Sequence, residues 1–196
     1  PLSNMVNRAL KRTLDIVGAL FALLVFSIPM LVVAVLVKCT SKGPVIFSQV
    51  RVGLHNKEFK MYKFRSMSDA RDENGNLLPD SKRLTKFGKL LRASSLDELP
   101  EIWNILKGDM SFVGPRPERR YFIEKIRKEN PNYDYLYLMR PGLTSMATLH
   151  NGYTDTMEKM LIRLDMDLEY LQKRSLWLDF KLIVTTFLFI VNGKKF

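Results

Sequence analysis

Two adjacent carboxylates, Asp97 and Glu98, lie in the stretch SSLDELPEIWNILKGDMSFVGPRP, Ser94 to Pro117, of a chain that is otherwise strongly cationic. Ser95 followed three positions later by Glu98 fits a capping box, in which both acids do no more than favour a helix start. Pro100 argues against that. With Ser95 as N-cap the proline would fall in the second turn and delete a helical hydrogen bond, whereas it suits the first helical position. The helix is therefore expected to begin at Pro100 and run through Trp103 and Leu106 to Gly108. Asp97 and Glu98 then stand at the entry to a helix N-terminus, where backbone N–H groups and the dipole attract phosphate. Downstream, Gly114-Pro115-Arg116-Pro117 reads as a rigid turn that restricts one guanidinium, and a fixed planar fork of donors suits a phosphorylated substrate. The ordinary alternative for this turn is a solvated arginine.

Composition sets the frame for this centre. A chain of 196 residues, 46% of them apolar, has room for one domain and is too hydrophobic to be disordered. The formal charge of +11 calls for an anionic partner, which charge alone leaves open between nucleic acid, anionic lipid and phosphorylated substrate. No helix-turn-helix, zinc-finger or RNP pattern supports nucleic acid. The single cysteine, Cys39, excludes an internal disulfide, and with two histidines it cannot build a structural zinc site.

The elements that must position the centre begin with a membrane-like run. Behind Arg8, Lys11 and Arg12, Ile16 to Val37 is 22 residues without a charge, long enough to cross a bilayer. Ser27 and Pro29 interrupt its middle, and Lys38 and Lys42 place basic residues after it as well as before it, so the positive-inside rule gives no orientation. A membrane-embedded helix-break-helix that bends near Ser27 to Pro29 and returns to the same face satisfies both features; a kinked transmembrane helix is the alternative. The length of the run and the lack of a small-residue cleavage pattern argue against a signal peptide.

From Gly43 onward the chain reads as soluble. Val45 to Arg51 and Glu58 to Phe64 alternate around Leu54-His55-Asn56-Lys57 as a β-hairpin, from which Lys63 and Arg65 emerge together. Ser68 to Asp80 reads as a surface excursion. Lys82, Lys86, Lys89 and Arg92 then share one face of an amphipathic helix, opposite Leu84, Phe87, Leu90 and Leu91, a pattern suited to an anionic bilayer surface. Glu118 to Asn130, Met157 to Lys173 and Leu176 to Val191 are further helices. The uncharged part of the last, after Lys181, is too short to span.

Taken together, these segments resemble the bacterial sugar transferase family, the monotopic phosphoglycosyl transferases that start glycan assembly on a polyprenol phosphate. The resemblance runs from about Arg8 to Val191 and is carried by Val45 to Gln49, Arg51-Val52-Gly53, Tyr62 to Met67, Arg83 to Gly88, Ser95 to Pro100, Gly108 to Pro117 and Arg140-Pro141-Gly142. It implies an α+β, mainly helical fold with a re-entrant segment over residues 1–42 and a cytosolic catalytic region over 43–196, packed together as one domain. It also implies a monotopic placement on the cytoplasmic face of the bacterial inner membrane. The family's Ser-Pro pair is here spread over Ser27-Ile28-Pro29.

The implied reaction moves a sugar-1-phosphate from a UDP-sugar to a polyprenol phosphate such as undecaprenyl phosphate and releases UMP. Asp97 is the implied nucleophile and Glu98 its catalytic partner, with Lys63, Arg65 and Arg116 on substrate phosphate and Arg140 and Asp167 as further substrate contacts. Phosphates approaching a carboxylate need a cation between them, so Mg²⁺ is expected, with Glu98 as its protein ligand. Anionic membrane lipids are expected as partners and nucleic acid is not. The rival reading is a noncatalytic membrane-surface adaptor in which the Asp-Glu pair only caps a helix.

Overall fold

The computed structural model describes residues 4–151 and 154–192. It is 63% helical, with two small two-stranded sheets. The first helix, α1 (Met5–Thr40), is 36 residues long; Asn4 caps it by accepting from the Val6 N–H at 3.0 Å. The hairpin follows as β1 (Ile46–Val52) and β2 (Glu58–Phe64), antiparallel in the register Phe47 to Lys63 and joined through a 3₁₀ turn at Leu54–Asn56. This is the hairpin that alternation forecast.

A mainly exposed excursion leads to α2 (Asp80–Arg83) and α3 (Lys86–Ala93), and a 3₁₀ turn at Leu96–Glu98 leads into α4 (Glu101–Lys107). Then come β3 (Ser111–Val113), α5 (Arg120–Glu129), a 3₁₀ stretch at Pro131–Leu138 and β4 (Gly142–Thr144). The chain closes with α6 (Met146–Asn151), α7 (Met157–Lys173) and α8 (Leu176–Val191). In α3 the apolar residues do not share one face as expected: Leu91 is buried but Leu90 is 62% exposed.

The expected interruption of α1 is absent, because the helix continues through Ser27 and Pro29. A proline removes one N–H and crowds the preceding turn, a cost that bends a long helix without having to end it. Two things hold the helix on either side of the proline. The Ser27 hydroxyl donates to the Leu24 carbonyl at 2.8 Å, and both halves of α1 are packed. Ala19, with Ala22 and Leu23, joins a core of Met61, Ile102, Ile105 and Met110. Beyond the proline, Val33 and Val37 join Phe64 and Leu91. A third core, built on Val113, Ile123, Ile126 and Leu164, lies among α5, α7 and β3.

The other face of α1 has no protein cover. Leu14, Val17, Phe21, Leu24, Val25, Ile28, Leu31, Val32 and Val35 are all more than half exposed, and only 11% of the most apolar window is buried inside the protein. So long an apolar stripe is unstable in water and suggests membrane association.

The N-terminal half is fixed by polar contacts as well as packing. Arg12 donates to the carbonyls of Ile105 at 2.6 Å and Leu106 at 2.8 Å, in the last turn of α4, where carbonyls run short of helical partners. Asp15, 5% exposed, accepts from the Ser111 hydroxyl at 3.0 Å and the Phe112 N–H at 3.1 Å. Asp15→Ala strips two buried donors of their acceptor. It is expected to destabilise the detergent-solubilised protein by about 1–3 kcal/mol in a denaturant titration; an unchanged midpoint would show that α1 is not anchored through this contact.

Candidate active site

The carboxylate pair is delivered by an abrupt local turn. The chain leaves α3, passes through Ser95 in the left-handed region at φ 56°, and makes the 3₁₀ turn that holds Asp97 and Glu98. Ser95 makes no capping bond with its side chain, so the capping-box reading fails. Pro100 stands at the N-cap of α4, so the helix begins at Glu101, one residue after the expected start, and Gly108 closes it at φ 93°. Successive residues of a 3₁₀ turn point about 120° apart, which sends the two acids to different surroundings.

Glu98 is the hub. One of its oxygens, Oε1, accepts from Lys63 Nζ at 2.5 Å and from Arg116 Nη2 at 2.7 Å. Burial by itself would raise the Glu98 carboxyl, but Arg116 and Lys63 together outweigh it and bring the pKa down to about 2. Arg116 and Lys63 thus favour the ionised form of Glu98. Asp97, 8% exposed, is held by no side-chain donor among the described residues. Burial and then the charge of Glu98 push its carboxyl upward, against the pull of Lys63 and Arg92.

Several contributors were not legible as site residues in the sequence. Glu101, 2% exposed, lies 3.2 Å from Lys63 Nζ; burial and then Glu98 raise it to about 7. Arg92, forecast only as part of a basic face, donates to the Ser66 hydroxyl at 3.0 Å, with its charge felt at Asp97. Sequence spacing could have flagged Glu101, which lies four residues beyond Asp97 at the first position of α4. Nothing local could have flagged the residues behind Arg116.

Those residues fix the Gly114-Pro115-Arg116-Pro117 turn. Arg51 donates to the Pro117 carbonyl at 3.0 Å and to Glu118 at 3.2 Å, and Arg163 on α7 pairs with the other oxygen of Glu118. From the opposite side, Gly142 N–H donates to the Pro115 carbonyl at 2.9 Å and Gly114 N–H to the Thr144 carbonyl at 3.1 Å. The two glycines approach too closely for any other residue: a Cβ on Gly142 would meet Gly114 N at 2.1 Å.

The remaining expected site residues lie elsewhere. Arg65 pairs with Asp69 at 2.7 Å and stacks over Gly43, where α1 hands over to the hairpin. Arg140 donates from Nε to the Gly108 carbonyl at 2.8 Å, at the far end of α4 from the carboxylates. Asp167 is buried behind Arg116, lining a small cavity with Glu118, Tyr133 and Arg163.

Among the described residues no three His, Cys, Asp or Glu side chains converge on a metal position. Magnesium does not require three, since it shares one or two carboxylates with substrate phosphates and keeps its waters. The donor set fits that use: Glu98 is ionised, and its Oε2 accepts no hydrogen bond among the described residues.

Fold and site together define an α+β chain that builds a carboxylate centre, flanked by a lysine and an arginine, beside a long apolar helix. The chain belongs to the bacterial sugar transferase family, whose sequence model matches residues 6–193. It is 41% identical over 194 residues to the UDP-N-acetylgalactosamine-undecaprenyl-phosphate N-acetylgalactosaminephosphotransferase of Aeromonas hydrophila, covering 98% of this chain and 46% of that protein. It is 43% identical over 188 residues to the UDP-glucose:undecaprenyl-phosphate glucose-1-phosphate transferase of Klebsiella pneumoniae, covering 93% and 40%. It thus spans less than half the length of these two relatives. A third relative, the exopolysaccharide production protein PSS of Rhizobium leguminosarum bv. phaseoli, is 39% identical and covered over its whole length, with 97% of this chain matched.

Asp167 offers a test of the site's electrostatics. Burial raises its carboxyl from 3.8 to about 7, and its Oδ1 has no hydrogen-bond partner among the described residues. The folded state therefore binds the proton more tightly than the unfolded chain, so this contribution is fully present below pH 3.8 and is lost as pH rises to about 7. Asp167→Asn should be more stable than the parent above that pH, with the advantage shrinking on acidification. Parallel unfolding curves at all pH values would refute it.

Proposed function

We propose that this chain catalyses transfer of a sugar-1-phosphate from a UDP-sugar to a polyprenol phosphate such as undecaprenyl phosphate, giving a polyprenyl-diphosphate-sugar and UMP. The observation that carries this reading is the Glu98 oxygen shared by Lys63 and Arg116 beside Asp97, a carboxylate that no side-chain donor occupies. An adaptor that only caps a helix has no use for two cations gathered from β2 and from the Arg116 turn.

The reaction proceeds in two displacements. An Asp97 carboxylate oxygen attacks the sugar-linked phosphorus, the bond from that phosphorus to the UMP oxygen breaks, and UMP departs with the electron pair. A phosphosugar is left on Asp97. An oxygen of the polyprenol phosphate then attacks the same phosphorus, the Asp97–phosphorus bond breaks, and the carboxylate is regenerated. Lys63 and Arg116 offset charge on the phosphoryl oxygens in both steps, having been positioned for it before substrate arrives. Mg²⁺, held by Glu98, would supply further neutralisation between the phosphates and the carboxylates.

The lipid substrate gives α1 its purpose. Both halves of α1 pack on the same folded body, Ala19 beside Ile105 and Val37 beside Phe64. A helix crossing the bilayer cannot rest along its length on a body that stays in water. The proposed placement is therefore monotopic and re-entrant, with both ends of α1 on the cytoplasmic face and anionic lipid around the basic surface of α3. Cysteines introduced near Arg8 and Lys42 should accept a membrane-impermeant reagent from the same side; labelling from opposite sides would refute this topology.

The chemistry is tested by isotope exchange. With Mg²⁺ and no polyprenol phosphate, labelled UMP should enter the UDP-sugar pool, Asp97→Asn should abolish the exchange, and excess EDTA should stop turnover. Normal turnover with lipid but neither exchange nor an Asp97 adduct would leave a single displacement as the mechanism.

A further inference from the structure

A second cationic feature lies away from the carboxylate centre. At the far end of α4, roughly 10 Å from Asp97 and Glu98 by the rise of that helix, a cavity of about 150 Å³ opens beside the N-terminal turns of α1. Arg8, Lys11 and Arg12 line it from α1, Arg140 from the segment before β4, and Arg174 from the junction of α7 and α8; Asp15 is the carboxylate among the lining residues.

These charges are unevenly satisfied. Lys11 pairs with Asp179 at 2.5 Å, and Asp15 spends one oxygen on Ser111 and Phe112. Arg12 and Arg140 are oriented by carbonyls at the end of α4, which fix the guanidinium planes without neutralising them. The guanidinium groups of Arg8 and Arg174 make no hydrogen bond or ion pair among the described residues. The crowding carries an electrostatic penalty: burial and then Arg140 press the Arg12 guanidinium below its ordinary value, and burial with the nearby Arg8 does the same to Arg174. A concave site with an excess of one sign, here five cationic side chains against Asp15 in the lining, focuses its field on a counter-ion.

We propose that this cavity is a binding site for a phosphate group, separate from the reaction centre. Guanidinium forks reaching one space from three segments of the chain match an anion with several oxygens, and phosphate is the group such forks grip in bidentate fashion. The cavity adjoins the helix whose open face is apolar, so the phosphate belongs either to a lipid headgroup or to a soluble anion. The site stands independently of the proposed reaction, because neither Arg8 nor Arg174 belongs to the carboxylate centre.

The experiment measures unfolding temperature and ligand affinity for the purified protein, for Lys63→Gln, which disables phosphate binding at the reaction centre, and for the double variant Arg8→Gln/Arg174→Gln. Inorganic phosphate in uncharged detergent is one probe; nanodiscs of phosphatidylcholine with and without phosphatidylglycerol are the other. A ligand that binds only the folded state raises its unfolding temperature. The response should persist in Lys63→Gln and fall in the double variant, with affinity weakened about tenfold or more, as for loss of a charge-assisted contact. Without anion the double variant should melt no lower than the parent, because it relieves repulsion; a merely structural pair of arginines would give a lower value. Response to phosphatidylglycerol identifies a headgroup site, and response to phosphate alone a soluble ligand. The proposal is overturned if neither probe acts on the parent, if the response disappears in Lys63→Gln but survives the double variant, or if the double variant melts lower without anion. Arg174→Gln alone should show the same contrast in smaller measure.

Discussion

An ionised carboxylate withdrawn from water needs charged or hydrogen-bonding partners, and the cations of Glu98 come from segments that meet only in the folded protein. Lys63 is 35 residues before it and Arg116 is 18 residues after it, yet both reach the same oxygen. Breaking such a group by deleting one partner leaves an uncompensated buried charge, among the costliest events in a protein interior. The hairpin must therefore present Lys63, α4 must start where it does, and the Arg116 turn must be braced from behind. The bracing is itself ionic, through Arg51, Glu118 and Arg163. The site is in this sense a chain of charges, each oriented by the next, running from β1 to α7.

Local signals in the sequence were readable wherever geometry follows from a short window. Alternation gave the hairpin, Pro100 and Gly108 bracketed α4 to within a residue, and the two long C-terminal helices fell where apolar periodicity put them. The carboxylate pair, Lys63 and Arg116 were also visible as candidates, and they do converge. What escaped was long-range pairing. Glu118 reads as one more acid at a helix start, and nothing in its neighbourhood announces that Arg51 and Arg163 will meet on it. Asp15 reads as a stray charge at the edge of an apolar run, although it ties α1 to β3. Pro29 reads as a break, yet the helix continues through it, because a proline ends a helix when nothing else holds it and here both flanks are packed.

The apolar helix and the charged centre depend on each other more closely than a membrane anchor and its cargo. Met61 and Phe64, on the strand that carries Lys63, pack against opposite halves of α1. The helix is thus part of the wall of the site, and its placement sets that of the strand that carries Lys63.

The glycine contact between the Arg116 turn and the Arg140-Pro141-Gly142 segment has a consequence for the order of events during synthesis. Strands β3 and β4 are parallel, and a parallel pair can close only after the whole crossover between them has been made. Here that crossover contains α5 and the 3₁₀ stretch that follows it. A ribosome that has just released Asp97, Glu98 and even Arg116 has therefore produced carboxylates and a guanidinium with no fixed relation. The chain must reach Thr144 before Gly114 finds its acceptor, and Arg163 must follow before Glu118 is fully paired. The nascent chain thus stays without a working centre while its apolar helix is already available to the membrane, so attachment can precede competence.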